Sequence, residues 1–156
     1  MLPIKKQQEE KTMMNNIINL ETINACSVSF NVPNKGIVTI VNTTPHPLTF
    51  QDPDGNLVSI PNDPSLLVNA KMLSENDSPW TVNTEAVGTS DGQEIISTIK
   101  TALTGTCNFL AIVGSMIAVN AYPGQVVGMI PVPGYERVAP AEKRMRCDMF
   151  SAAKRE

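Results

Sequence analysis

The residues best equipped for chemistry stand together at positions 41–50, VNTTPHPLTF. Asn42, Thr43, Thr44 and His46 set an amide, two hydroxyls and the chain's single imidazole within five positions, with Pro45 and Pro47 flanking the histidine. Hydroxyls, amides and a neutral imidazole can all donate and accept, so the group is a donor-rich connection. Two readings stay open: a rigid ligand-facing loop, or a kinked β-corner, which is the commoner use of prolines between strands. His46 paired with a cysteine is the one formal nucleophilic constellation, yet no cysteine neighbourhood suggests activation. The GxSxG elbow, the P-loop, the GxGxxG fingerprint and the HExxH helix are all missing from the sequence. The expectation is therefore a protein that is not an enzyme.

Cys26, Cys107 and Cys147 are far apart and odd in number. That spacing suits neither a disulfide framework nor a metal centre, and one histidine makes a zinc site from His and Cys hard to build. Reduced structural thiols, no metal and no cofactor are expected, as in a cytosolic compartment. The formal charge of −3 offers no general attraction to DNA or RNA. The charge is uneven, however. Positions 52–94 carry Asp52, Asp54, Asp63, Glu75, Asp77, Glu85, Asp91 and Glu94 against Lys71 alone. From position 137 the balance reverses, with Arg137, Lys143, Arg144, Arg146, Lys154 and Arg155. This run reads either as a local anion site or as a solvated basic tail.

These side chains need a scaffold, and the pattern predicts a β-rich one. At 156 residues with 42% apolar and 17% charged content, the chain suits one folded domain. Residues 1–22 read as a mobile polar arm and residues 23–156 as a single β-rich domain, the candidate ligand-binding one if the break faces a ligand. Cys26, Val28, Phe30 and Val32 alternate with polar residues as a half-buried strand, and Pro33-Asn34-Lys35-Gly36 turns it into the run Ile37-Val38-Thr39-Ile40-Val41. Leu48 and Phe50, then Val58 and Ile60, alternate around Asp52-Pro53-Asp54-Gly55-Asn56, a hairpin turn.

Further on, residues 66–73 suggest one interrupted strand, 75–79 a loop, and 80–87 a weak strand opened by Trp80, whose expected place is the core. Asp91 as N-cap with Glu94 three positions on starts a helix to Leu103, with Ile95, Ile96, Ile99 and Ala102 on its apolar face. A buried strand at 109–113 runs through Gly114 and the N-cap Ser115 into a short helix, and 125–132 forms another strand. Backbone N–H groups at such a helix start can hold a phosphate. The longest apolar run, 109–119, is too short to span a bilayer, so no membrane partner is expected. The fold class expected is α+β: a mainly antiparallel β-sheet with hairpins and one or two short helices packed on it.

The order of the motifs resembles one family. A strand running into Val41-Asn42-Thr43-Thr44-Pro45-His46-Pro47, the turn with Asp54-Gly55-Asn56, then Ile60-Pro61 and Ala70-Lys71, is similar to the opening of the first type of Thoeris anti-defence proteins of phages. Residues 109–122 look like that family's strand–Ser–helix element. Pro133-Gly134-Tyr135-Glu136-Arg137 and Arg146-Cys147-Asp148-Met149-Phe150 look like its ending. The likeness covers roughly residues 37–150; the family has arginine where Lys71 and Asp148 stand, and the arm and the 91–103 helix are additions.

The resemblance implies a sponge that binds cyclic ADP-ribose isomers, made by bacterial TIR-domain proteins, without cleaving them. It would act in the cytoplasm of the infected host, as a homodimer with pockets shared between subunits; some members form hexamers and also take cyclic di- or trinucleotides. The ligand-binding residues so implied, or compatible with it, are Asn42, Thr43, Thr44, His46, Lys71, Ser115, Tyr135, Arg137 and Arg146. The arginines and Lys71 would meet a pyrophosphate, and Tyr135, Phe150 or Trp80 would offer a flat face to adenine. Thr43, Thr44 and His46 are expected to face the 137–146 segment, from the same or a second subunit. The competing expectations are a β-rich assembly protein without a ligand and, less favoured, a hydrolase using His46.

Overall fold

A strand whose β-branched run does not alternate must be covered on both faces, and Gly36–Asn42 is such a strand: Val38, Thr39, Ile40, Val41 and Asn42 are all buried. The computed structural model describes residues 18–154. In chain order it holds α1 (Leu20–Ala25), β1 (Ser27–Val32), β2 (Gly36–Asn42), β3 (Leu48–Gln51), β4 (Leu57–Ile60), β5 (Ala70–Asn76) and β6 (Val82–Gly88). Then follow α2 (Ser90–Leu103), β7 (Phe109–Val113), α3 (Met116–Ala121), β8 (Val126–Pro131) and β9 (Met145–Ser151). Single 3-10 turns lie at Pro64–Leu66 and Pro140–Glu142.

Seven strands make one nearly closed, barrel-like sheet in the order β1-β2-β7-β8-β9-β3-β4, and among the described residues β5 pairs only with β6. The α+β class holds, but the expectation of a mainly antiparallel sheet is corrected. β2–β7, β7–β8 and β3–β9 are parallel, whereas β1–β2, β8–β9 and β3–β4 are antiparallel. The local turns at 33–36 and 52–56 announce the two hairpins. Parallel neighbours such as Ile40 and Ala111, or Phe50 and Met145, come from distant segments that no local signal joins.

Alternation along the strands sorts the apolar residues into two cores. Phe30, Val38, Ile40, Phe50, Ile60, Ala111, Val113, Val127 and Cys147 belong to the barrel interior, to which all seven strands contribute. On the outer face, Val41, Ile112 and Val126 meet Ile23 of α1, Ile96, Ile99 and Leu103 of α2, and Ala118 and Val119 of α3. The covering helices make β2 apolar on both sides. Burying an Ile such as Ile96 or Ile99, both fully inaccessible, contributes about 1.5–3 kcal/mol by transfer alone.

Several local expectations change. Three helices stand among the described residues, one of 14 residues, where one or two short ones were expected. Thr89, not Asp91, caps α2: its hydroxyl accepts from the Gly92 N–H at 3.0 Å, which leaves Asp91 in the first turn, where a carboxylate suits the helix dipole. Instead of one interrupted strand over 66–73 there is a 3-10 turn followed by β5, which continues to Asn76 through part of the expected loop. The basic run includes β9, wedged between β8 and β3, so Arg146 belongs to a sheet strand rather than to a tail. Of the arm expected over 1–22, residues 1–17 lie outside the described residues, while Ile18 packs on the helix-side core and Leu20 opens α1.

Beyond Ala70, which packs on the helix-side core, the β5–β6 hairpin stands apart from both cores. From Lys71 to Glu85 every residue is exposed, and Trp80, at the tip, is 91% exposed instead of core-packed. The hairpin's root is held by one hydroxyl. Tyr122, at the end of α3, donates to the Asn69 carbonyl at 2.7 Å just before β5 and accepts from the Thr89 N–H at 2.7 Å just after β6. Gly92 is needed here, since a Cβ at that position would collide with the Tyr122 hydroxyl. Tyr122→Phe is expected to cost about 1 kcal/mol in urea denaturation and to speed hydrogen exchange at the Thr89 amide; unchanged exchange there would show that the clamp does not hold the root.

Candidate functional site

The break between β2 and β3 is knit together by Asn42. Its Nδ2 donates to the carbonyls of His46 at 2.8 Å, Ile60 at 3.2 Å and Pro61 at 3.2 Å. Its Oδ1 accepts from the Thr44 amide at 2.9 Å and the Thr44 hydroxyl at 2.7 Å. Thr43 donates its hydroxyl to the Val113 carbonyl at 2.7 Å, and its carbonyl accepts from the Val68 amide at 3.2 Å. Asn42, Thr43 and Thr44 are 0, 1 and 6% exposed. Buried polar groups need internal partners, and these three have them, so the fold uses the very atoms that sequence reasoning offered to a ligand. His46 contributes its backbone carbonyl to the knot, while its side chain is exposed.

Ser115 does join Thr43 and Thr44. With Pro45, Leu67, Asn69 and Ile117 they line a small cleft of about 200 Å³. Ser115 caps α3, its hydroxyl accepting from the Ala118 amide at 3.2 Å. Among the described residues, no charged side chain lines this cleft.

The basic residues lie elsewhere. Arg146 grips Asp148 with both ends of its guanidinium, Nε to Oδ1 at 2.8 Å and Nη2 to Oδ2 at 3.0 Å. These bonds push the Asp148 carboxyl below its ordinary range and the Arg146 guanidinium above its own. Lys35 reaches the Asp148 carbonyl at 2.7 Å. Together with Gln51, Asp52 and three prolines they border a cleft of about 550 Å³ in which two cations face two carboxylates. Burial pushes the neighbouring Cys147 thiol up, with the Asp148 carboxylate adding to the effect, so it is not an activated nucleophile.

A second cleft, of about 570 Å³, has a different balance. Tyr135, Lys143 and Arg144 line it with Thr49, Ser59, Leu57, Ala141 and Glu142. The Arg144 guanidinium sits 4.1 Å from the centre of the Tyr135 ring, and its Nη1 donates to Gln51 Oε1 at 3.3 Å. Its Nε is buried without a hydrogen-bond partner among the described residues. A stacked guanidinium, an exposed lysine and two hydroxyls can hold a phosphate and a sugar. No family model, curated protein or solved structure matches this chain.

Of the residues singled out from the sequence, only Thr43, Thr44 and Ser115 share a cleft. Arg146 belongs to the charge-balanced cleft, Tyr135 to the cationic one, Lys71 to the exposed hairpin, and Arg137 is exposed and lines none of the clefts above. β3 runs parallel to β9 with Phe50 opposite Met145, so the 43–47 break and the basic segment precede neighbouring strands without lining a common cleft. Sequence reasoning missed Lys143, Arg144, Thr49 and Ser59 as a group. The alternation of β3 and β4 was legible and put Thr49 and Ser59 on the non-core face, but only the β3–β9 pairing brings Arg144 there.

Asn42→Ala and Asn42→Asp are both expected to cost about 3 kcal/mol in urea denaturation, since each strands buried carbonyls. His46→Ala should stay within about 0.5 kcal/mol, as an exposed side chain would. A lowered Asp148 pKa implies stability that is complete above the ordinary aspartate range and lost as pH falls through the folded-state value. Thermal melts of Asp148→Asn should therefore lose part of the wild-type slope at acid pH; parallel profiles would show the ion pair to be inert.

Proposed function

We propose that the protein is a non-catalytic sponge that captures a cyclic ADP-ribose-type nucleotide and withholds it from host Thoeris signalling, in the cytoplasm of an infected bacterium. The observation that carries this reading is the stack of Arg144 on Tyr135 beside Lys143, with Thr49 and Ser59 in reach of the same space. A pyrophosphate would meet the two cations, ribose hydroxyls the threonine and serine, and adenine the free face of Tyr135 or Leu57. The volume, about 570 Å³, suits a ligand of that size. The resemblance of residues 37–150 to the anti-defence family supplies the ligand class, and no step of the reading requires a bond to break.

A second reading, an assembly protein with no small ligand, is favoured by a different observation. Asn42, Thr43 and Thr44 serve the fold internally, while a whole hairpin with the single tryptophan stands in solvent.

Thermal melting with a panel of cyclic ADP-ribose isomers and cyclic di- and trinucleotides separates the two. Ligand at 100 times its Kd should add about 2.7 kcal/mol and raise Tm by several degrees. Mass spectrometry after heat denaturation should recover the nucleotide intact. Arg144→Ala should abolish the shift, whereas Arg137→Ala should leave most of it. A panel without any shift removes the sponge reading, and recovery of cleaved nucleotide removes the non-catalytic one.

A further inference from the structure

The β5–β6 hairpin takes no part in the cationic cleft and presents the single tryptophan at its tip. A two-stranded hairpin is at best marginally stable alone in water, and beyond its Tyr122-held root this one keeps the pairs from Leu73–Glu85 to Asn76–Val82 exposed on both strands. Its tip is a built turn. The Ser78 hydroxyl accepts from the Trp80 and Thr81 amides, each at 3.1 Å, and meets the Thr81 hydroxyl at 2.8 Å. The Asp77 amide closes the turn on the Thr81 carbonyl at 3.0 Å. A pre-set turn that displays one indole to solvent has the form of an interface anchor, because little ordering cost remains to be met on binding.

Charge narrows the occupant. The hairpin carries Glu75, Asp77 and Glu85 against Lys71, and the acids at 75 and 77 lead into the tip on its β5 side. On the same chain, the segment 135–146 carries Arg137, Lys143, Arg144 and Arg146 against Glu136 and Glu142. The cleft it borders also offers Leu57, 51% exposed, and the Arg144–Tyr135 stack, a surface suited to an indole. Hairpin and cleft share no residue: the hairpin rests on α3, whereas β3, β4 and the 135–144 segment form the cleft. Surface and anchor of opposite charge on one chain make a second copy the fitting partner.

We infer that the protein associates with itself by placing the Trp80 tip of one copy in the Tyr135–Lys143–Arg144 cleft of another, with Asp77 against Lys143. The contact is tip-to-cleft, so it either closes reciprocally in a dimer or continues around a ring. It does not rest on the nucleotide reading: tip and nucleotide would exclude each other from the one cleft, and the test, run without nucleotide, reads association alone.

The test is sedimentation velocity of the full chain over a concentration series, at low and at high salt, with tryptophan emission recorded in parallel. Association should rise with concentration, weaken with salt and shift the emission of the single tryptophan to the blue. Trp80→Ala changes an exposed side chain and should leave the melting temperature of the dilute protein alone, yet weaken association by about 30-fold or more, the size of an anchor residue. Asp77→Lys and Lys143→Glu should each weaken it, and the two together should restore it. A chain that stays monomeric throughout, or a Trp80→Ala variant that associates as well as wild type, overturns the inference. So does emission already blue-shifted in a dilute monomer, which would place the tip on its own copy.

Discussion

The structure depends on one side-chain amide at the end of its central strand. β2 is buried on both faces, so where it stops, the chain must change direction inside the protein with its polar backbone groups still to be paired. Asn42 resolves this with both ends of its amide, collecting the carbonyls of His46, Ile60 and Pro61 on one side and Thr44 on the other. Ile60 ends β4, the last strand in the sheet order, whereas Asn42 ends β2, the second. The amide thus ties the two sides of a nearly closed sheet across its interior, and the rigid Thr-Thr-Pro-His-Pro break follows from that tie.

From this constraint comes the division of labour in the molecule. The barrel interior and the helix-covered outer face take up nearly all of the buried apolar residues, and α3 closes one side with Tyr122 at its end. Two features remain outside these cores. One is the cationic cleft at the start of β9, where a guanidinium stacks on a ring. The other is the acidic hairpin with its single indole. The polar atoms near the break stabilise; the cleft and the hairpin tip carry polar and aromatic groups that the two cores do not use.

Much of the fold was legible in the residues. Pro33-Asn34-Lys35-Gly36 and Asp52-Pro53-Asp54-Gly55-Asn56 marked two hairpins because turn geometry is local, and the 3.6-residue spacing of Ile96, Ile99 and Leu103 marked the face of α2. Ser115 was readable as a cap for the same reason. β9 was less so, because Met145–Ser151 carries Arg146 and Asp148 in a run that also suits a solvated tail. The polar triad was read by its chemistry, and side-chain chemistry does not reveal whether a donor faces a ligand or a buried carbonyl. Trp80 misled in the same manner: size argues for burial, but the hairpin that carries it meets a core only at its root, through Ala70.

The sequence by itself determined the α+β class, the hairpins, the amphipathic helix and the reversal of charge between the acidic middle and the basic end, since each depends on neighbours a few positions apart. Only the tertiary structure decided the parallel pairing of β2 with β7 and of β3 with β9, the closure of the sheet around Asn42, and the meeting of Tyr135 and Arg144 with Thr49 and Ser59. Those arrangements join segments dozens of positions apart, and they are set by which faces can be buried together rather than by anything a short stretch of chain encodes.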